Sequence, residues 1–244
     1  MTMKNKYILL SVLLAATSAC LPIPSIDDEN DIDSGQEVIY PVATYTFEGT
    51  AADISGNGYD GVLNGKPEFI NDTPDGSGSA LRLNGFKSQF VNIPYALLAG
   101  LEQYTFSIWI KDFSQGVIFS GRGGNDCPYL YVRDSQKFML ANHWYINEHA
   151  DWYTFSYDCT NIMSSQWHHI AITSDKGSIC LYVDGIRQDS LKNEYSVSTC
   201  TKVYLGGNAD GKYDNYMSMK IDNVMFFDCC LTPAEVGYIY QNKL

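Results

Sequence analysis

The chain has 244 residues, with 16 basic and 28 acidic side chains and a formal net charge of −12. So acidic a chain, with no basic patch, is excluded as a nucleic-acid binder, and acidic polymers are poor partners unless a metal bridges them. Eighteen tyrosines and four tryptophans favour strands and supply good surfaces for sugars or proteins.

At the N-terminus, Lys4 and Lys6 precede an apolar run from Tyr7 to Ala16, too short for an ordinary membrane-spanning helix. The run ends at Thr17-Ser18-Ala19-Cys20. Small residues directly before a cysteine resemble the lipobox of bacterial lipoproteins, although Thr17 stands where Leu is usual. The resemblance implies a signal peptide over residues 1–19, cleavage before Cys20 and lipid on its thiol. Leu21, rather than Asp, after the cysteine implies the outer membrane. An ordinary secretory signal with an incidental cysteine is the plainer alternative.

Residues 20–40 read as a tether. Pro22 and Pro24 discourage regular structure, and the acid run Asp27 to Asp33 repels itself and stays solvated. A short acidic run soon after the lipidated cysteine resembles the surface-export signal of Bacteroidetes lipoproteins; a spacer off the headgroups is the simpler reading. Membrane contact is expected through the lipid anchor only. Removal of Lys4 and Lys6 leaves 14 basic against 28 acidic residues, a net charge of −14.

The rest, residues 41–244, is long enough for one sizeable β domain. Strand signals occur at Val42–Phe47, Ala80–Leu83, Phe90–Ile93, Thr105–Asp112, Gly116–Ser120, Tyr129–Arg133, Lys137–Ala141, Trp167–Ser174, Ser178–Val183, Lys202–Gly206 and Met217–Phe227. Phe106, Ile108 and Ile110 share one face by alternation. Turn residues such as Pro74-Asp75-Gly76 and Asp184-Gly185 separate the runs, and many short strands with regular turns indicate a β-sandwich. One helix is expected at the C-terminus, with Thr232 as cap, Pro233 at the first position and Glu235 completing a capping box. A second short turn is expected over Ala96 to Gly100.

Asp53 to Gly61 places Asp53, Ser55, Asn57 and Asp60 among three glycines, the turned backbone and clustered oxygens that calcium uses. The first positions match a calcium loop, but the twelfth is Asn64, not the Glu of an EF-hand. An Asx/Gly turn without metal is the alternative. If Cys20 carries lipid, six cysteines remain: Cys127, Cys159, Cys180, Cys200, Cys229 and Cys230. An even number in an exported domain suggests disulfides; pairing of Cys127 with Cys159 would close the segment between them, and sequence cannot choose among the fifteen connectivities. Buried thiols are the other reading. In Trp167-His168-His169, alternation sends the imidazoles to opposite faces, so both read as structural.

A wider pattern joins these pieces. Tyr45-Thr-Phe-Glu-Gly49 and the Asp53–Gly61 segment open it; Gly78-Ser-Ala-Leu-Arg-Leu-Asn-Gly85 and Phe90-Val-Asn-Ile-Pro94 follow. Then come Thr105–Ile110, Trp167-His-His-Ile-Ala171, Leu181-Tyr-Val-Asp-Gly185, Leu205-Gly-Gly207, Ile221–Asp228 and Leu231-Thr-Pro-Ala-Glu-Val236. In this order the motifs resemble the laminin-G-like, concanavalin A-like lectin/glucanase superfamily over residues 41–244. The resemblance implies an all-β, two-sheet antiparallel jelly-roll sandwich with one short C-terminal helix. It leaves function open, since this fold hosts lectins, glycosidases and adhesion modules.

Many members of that superfamily hold a structural calcium, which implies Glu48, Asp53, Asn57 and Asp222 as its ligands here. Glucanases of this fold carry two carboxylates on one face of a strand. No such strand is found, and Glu148 and Asp151 fall on opposite faces by alternation. No catalytic residues are therefore assigned. For ligand binding, the segment 143–157 is dense in aromatic and polar groups. Trp144, Trp152 and Tyr153 supply ring faces, Asn147, Glu148 and Asp151 hydrogen-bonding groups, and Tyr129, Tyr131 and Arg133 extend the set. These rings can equally be core. The expected function is non-catalytic binding of a polysaccharide or glycan by a lipid-anchored protein of the cell surface. Alternatives are a protein-binding or adhesion module and a glycoside-cleaving enzyme with an atypical site.

Overall fold

The computed structural model describes residues 39–122, 128–133, 137–141, 153–163, 165–192, 200–208 and 215–244. In chain order the strands are β1 (Ala43–Tyr45), β2 (Val62–Asn64), β3 (Glu68–Ile70), β4 (Ala80–Leu83), β5 (Phe90–Ile93), β6 (Tyr104–Lys111), β7 (Gly116–Arg122) and β8 (Tyr129–Val132). They continue as β9 (Lys137–Ala141), β10 (Tyr153–Asp158), β11 (His168–Ser174), β12 (Ser178–Val183), β13 (Ile186–Lys192), β14 (Lys202–Leu205) and β15 (Met219–Phe227), and the helix α1 (Pro233–Gln241) closes the chain.

The strands form two antiparallel sheets. One has eight strands in the order β13-β12-β11-β6-β15-β4-β3, with β1 also paired to β15; the other has seven, β10-β9-β8-β7-β14-β5-β2. The two-sheet antiparallel sandwich with one helix is the expected architecture. The core lies between the sheets because each strand turns alternate apolar residues inward. Phe106, Ile108 and Ile110 of β6 do so, facing Leu130, Val203 and Leu205 of the other sheet within one buried cluster. Phe106, Phe119 and Phe226 meet at ring distances of 4.8 to 5.5 Å.

The outer face of the eight-stranded sheet is also covered. Helix α1 lays Val236 and Ile239 against Ala171, Tyr182, Met225 and Phe227. Its start is the expected capping box: the Thr232 side chain accepts from the Glu235 N–H, and Glu235 accepts from the Thr232 N–H. The turn Asp184-Gly185 has positive φ at both residues, as a tight hairpin between β12 and β13 requires. A Cβ on Gly185 would stand 2.9 Å from the Tyr240 ring, so glycine also lets the helix approach.

The two histidines separate as alternation requires. His168 Nδ1 lies 2.8 Å from Asp184, whereas His169 is fully buried with Nε2 2.8 Å from Ser107 Oγ. Burial pushes the His169 imidazole down to about 3. The short turn is a 3-10 helix over Tyr95–Leu97. Cys159 is a buried thiol, raised to about 11 chiefly by burial; its expected partner Cys127 lies outside the described residues, as do Cys20 and the signal and tether 1–38.

Candidate functional site

The opening loop serves the fold. Asp53 Oδ1 accepts from the Thr44 and Ser55 N–H groups, and Oδ2 from the Tyr59 N–H and Ser55 Oγ, all at 2.8 to 3.0 Å. Asn57 Nδ2 donates to the Val42 carbonyl, which also lies 3.1 Å from Ser55 Oγ. Two positive-φ glycines, Gly56 and Gly58, allow the turn. Each Asp53 oxygen thus takes two protein donors, so an ion would compete with four N–H and O–H groups aimed at one carboxylate.

The other expected metal ligands are engaged elsewhere. Glu48 accepts from the Ser79 N–H, and Asp222 sits on β15 opposite Trp109 and accepts from the Asn223 N–H. Among the described residues no three His, Cys, Asp or Glu side chains converge to hold an ion. Held by Glu48, Asp53, Asn57 and Asp222, a calcium ion would have to displace these hydrogen bonds, which close the loop and brace strand ends in this arrangement.

The outer face of the seven-stranded sheet is different. Its chemistry follows from strand alternation. Val91 and Ile93 of β5 point to the core, so Asn92 between them faces out; Val203 and Leu205 of β14 are core, so Lys202 and Tyr204 face out. The register aligns these outward residues in a row: Ser120 opposite Tyr204, Tyr204 opposite Asn92, and Asn92 opposite Val62. A bulge in β7 between Val117 and Phe119 sends both Ile118 and Phe119 inward while keeping Ser120 and Arg122 outward.

One half of this face is a buried polar and aromatic cluster. The Arg122 guanidinium lies 4.6 Å from the Tyr129 ring centroid, and its Nε donates to Asn208 Oδ1 at 2.7 Å. Ser120 Oγ donates to the Gly207 carbonyl at 2.8 Å. Tyr129 and Tyr131 stack at 6.1 Å, and Phe90 meets Tyr204 edge-on at 5.4 Å and stacks on Tyr216 at 5.8 Å. A Cβ on Gly207 would come within 2.6 Å of the Tyr216 ring, so the ring rests on bare backbone. The other half is open. Asp60, Val62, Asn92, Pro94, Tyr95 and Lys202 surround a depression of about 180 Å3, smaller than the roughly 300–1,000 Å3 of common small-molecule clefts. Tyr95 is 49% exposed and Val62 59%.

Residues 84–237 match the concanavalin A-like lectin/glucanases superfamily. The chain belongs to this superfamily. Domain 4 of a GH43 extracellular arabinanase from Geobacillus stearothermophilus, solved with arabinotriose, is similar at a TM-score of 0.68 and 24% identity, over 83% of this chain and 99% of that one. The binding domain of botulinum neurotoxin DC in complex with SialylT is similar at 0.65 and 16%, over 83% of this chain and 51% of that one. The same toxin domain with rat synaptotagmin II gives the same figures. These likenesses show the fold, and this chain spans about half of the toxin binding domains. No curated protein matches the sequence.

Within the superfamily fold, the expected binding residues divide. Tyr131 lies on the outer face with Tyr129. Tyr153 begins β10, next to β9 at the edge of the same sheet. Trp144, Asn147, Glu148, Asp151 and Trp152 lie outside the described residues. The sequence reading did not single out Asn92, Lys202 and Tyr95, which the depression adds as candidates. A signal existed at Asn92, a lone polar side chain between two core residues of a recognised strand.

Proposed function

We propose that the chain is a non-catalytic carbohydrate-binding protein that uses the outer face of its seven-stranded sheet. The observation that carries this reading is the open end of the register-aligned row, where Asn92 and Val62 meet Tyr95, Lys202 and Asp60 around the depression. Ring and proline faces pack on sugar C–H surfaces, while Asn, Lys and Asp hydrogen-bond hydroxyls. The depression is shallow, so it suits a terminal unit or one residue of a chain. A relative of the same fold holding arabinotriose supports a sugar ligand.

In this reading residues 1–19 are a signal peptide, lipid on Cys20 anchors the protein to the outer membrane, residues 20–40 are the tether and residues 41–244 the binding domain. No helix among the described residues is long and apolar enough to cross a membrane. A second reading, a protein-binding module, is favoured by Phe86, which is 99% exposed in the 3-10 turn Gly85–Lys87, and by a relative bound to a synaptotagmin. A glycan screen with the soluble domain separates the two. Binding to at least one polysaccharide is expected; failure across neutral and charged glycans would leave the protein-binding reading.

A further inference from the structure

The covered face of the eight-stranded sheet brings two thiols together that the sequence could not pair. The segment after β15 crosses this face over Thr105. Thr105 Oγ1 donates to the Cys229 carbonyl at 2.8 Å, and the Leu231 N–H donates back to Thr105 Oγ1 at 3.0 Å. Cys230, between those two contacts, is thereby held over the same row of the sheet. In that row Thr105 of β6 stands opposite Thr173 of β11, and Thr173 stands opposite Cys180 of β12. The Cys230 thiol hydrogen-bonds the side chains of Thr173 and Asp175, on the side of the row where Cys180 stands. Cβ atoms of directly opposed residues in an antiparallel pair lie about 4.5–5.5 Å apart. A thiol bonded to Thr173 is therefore a near neighbour of Cys180. Cys180 is buried and Cys230 half-buried, and both are free thiols.

The geometry points to a Cys180–Cys230 disulfide as a covalent staple between β12 and the crossing segment that leads into α1. The bond forms by two thiol–disulfide exchanges with an oxidised dithiol protein or oxidised glutathione. One cysteine thiolate attacks the carrier disulfide and releases a carrier thiolate; the second cysteine thiolate attacks the mixed disulfide and releases the other. The two cysteine sulfurs are oxidised, one carrier disulfide is reduced to two thiols, and the two cysteine protons go to them. Burial raises the Cys230 thiol to about 11, so formation is slow in the closed fold and fastest before this face packs. The bond ties the helix that covers the sheet to an inner strand, closing a loop between positions 180 and 230. Its occurrence in the cell rests on the exported reading; its chemistry does not.

The test uses the full domain refolded in a glutathione redox buffer, alkylated, digested without reduction and mapped by mass spectrometry. A peptide pair joining Cys180 to Cys230 is expected, and it disappears on reduction before digestion. Recovery of Cys180 and Cys230 as alkylated thiols, or of either joined to another cysteine, overturns the proposal. A second readout compares melting temperature before and after reduction. The oxidised protein should melt about 5 °C or more above the reduced one. Cys180→Ser and Cys230→Ser should each remove the same part of that difference, and the double variant no more. Unequal or additive losses would contradict a shared bond.

Discussion

At the scale of single residues, the two sheet faces use polar groups differently. Arg122 is buried on the outer face of the seven-stranded sheet, stacked on Tyr129 and bonded to Asn208. Replacing it by alanine removes a charge-assisted bond and a ring contact together. Arg122→Ala should lower unfolding stability by about 2–3 kcal/mol, read by urea denaturation. Asn92 and Lys202 are exposed and brace nothing in the core, so Asn92→Ala and Lys202→Ala should change stability by less than about 0.5 kcal/mol while weakening glycan binding.

His169 gives a pH prediction. The folded imidazole stays neutral down to about 3, below the ordinary value of 6.5, while the unfolded one protonates near 6.5. Below that value the unfolded chain binds a proton that the folded chain refuses, so stability falls as pH drops from about 6.5 toward 3. Burial pushes the Asp72 carboxyl up, but bonds from Lys220, Lys111 and Trp167 outweigh this and hold it at about 2. It contributes stability above the ordinary 3.8 that is lost as pH falls toward 2. The windows overlap only between about pH 4 and 3, so a His169→Gln variant should flatten the profile between about pH 6.5 and 4 and keep the Asp72 loss below 3.8, as melting temperature against pH would reveal.

At the scale of elements, the legible parts were those whose residues alternate cleanly. β5, β6, β12 and the capped helix read directly from apolar periodicity and from Thr232, Pro233 and Glu235. β13, Ile-Arg-Gln-Asp-Ser-Leu-Lys, did not, because this edge strand is mostly exposed and carries no inward apolar stripe. β2 and β3 have three residues each, too few to show a period. The Asp53 loop was legible as a turn but not as a closed one. Oxygen-rich composition looks alike whether the oxygens await an ion or accept N–H groups from the loop. Since Asp53 already takes four donors, adding EDTA should leave the melting temperature unchanged. Asp53→Ala should cost about 2–4 kcal/mol by leaving those donors without their acceptor. A large fall in melting temperature on chelation would show that calcium, not the hydrogen bonds, closes the loop.

At the scale of the whole molecule, the sandwich assigns different work to its two outer faces. The eight-stranded sheet is covered by α1 and the segment after β15, a hydrophobic layer with Trp109 stacked on Tyr240 and its indole N–H donating to the Leu244 carbonyl. The seven-stranded sheet presents the polar and aromatic row instead. The superfamily was legible from ordered motifs because those motifs are core strands and turns, whose spacing the fold dictates. The candidate site was legible only in part. Outward residues such as Asn92 and Lys202 come together through strand order, β7-β14-β5-β2, which joins segments far apart in the sequence.

Carbohydrate binding by this outer face is what the proposed function requires. The most direct measurement is calorimetric titration of a polysaccharide taken from the glycan screen into the wild-type domain and into the Asn92→Ala/Lys202→Ala double variant, with both confirmed folded by melting temperature. Saturable binding by the wild type is expected, with at least a tenfold weaker affinity, about 1.4 kcal/mol, in a variant of unchanged stability. Equal affinity in the two proteins would place the sugar elsewhere and contradict the proposed function.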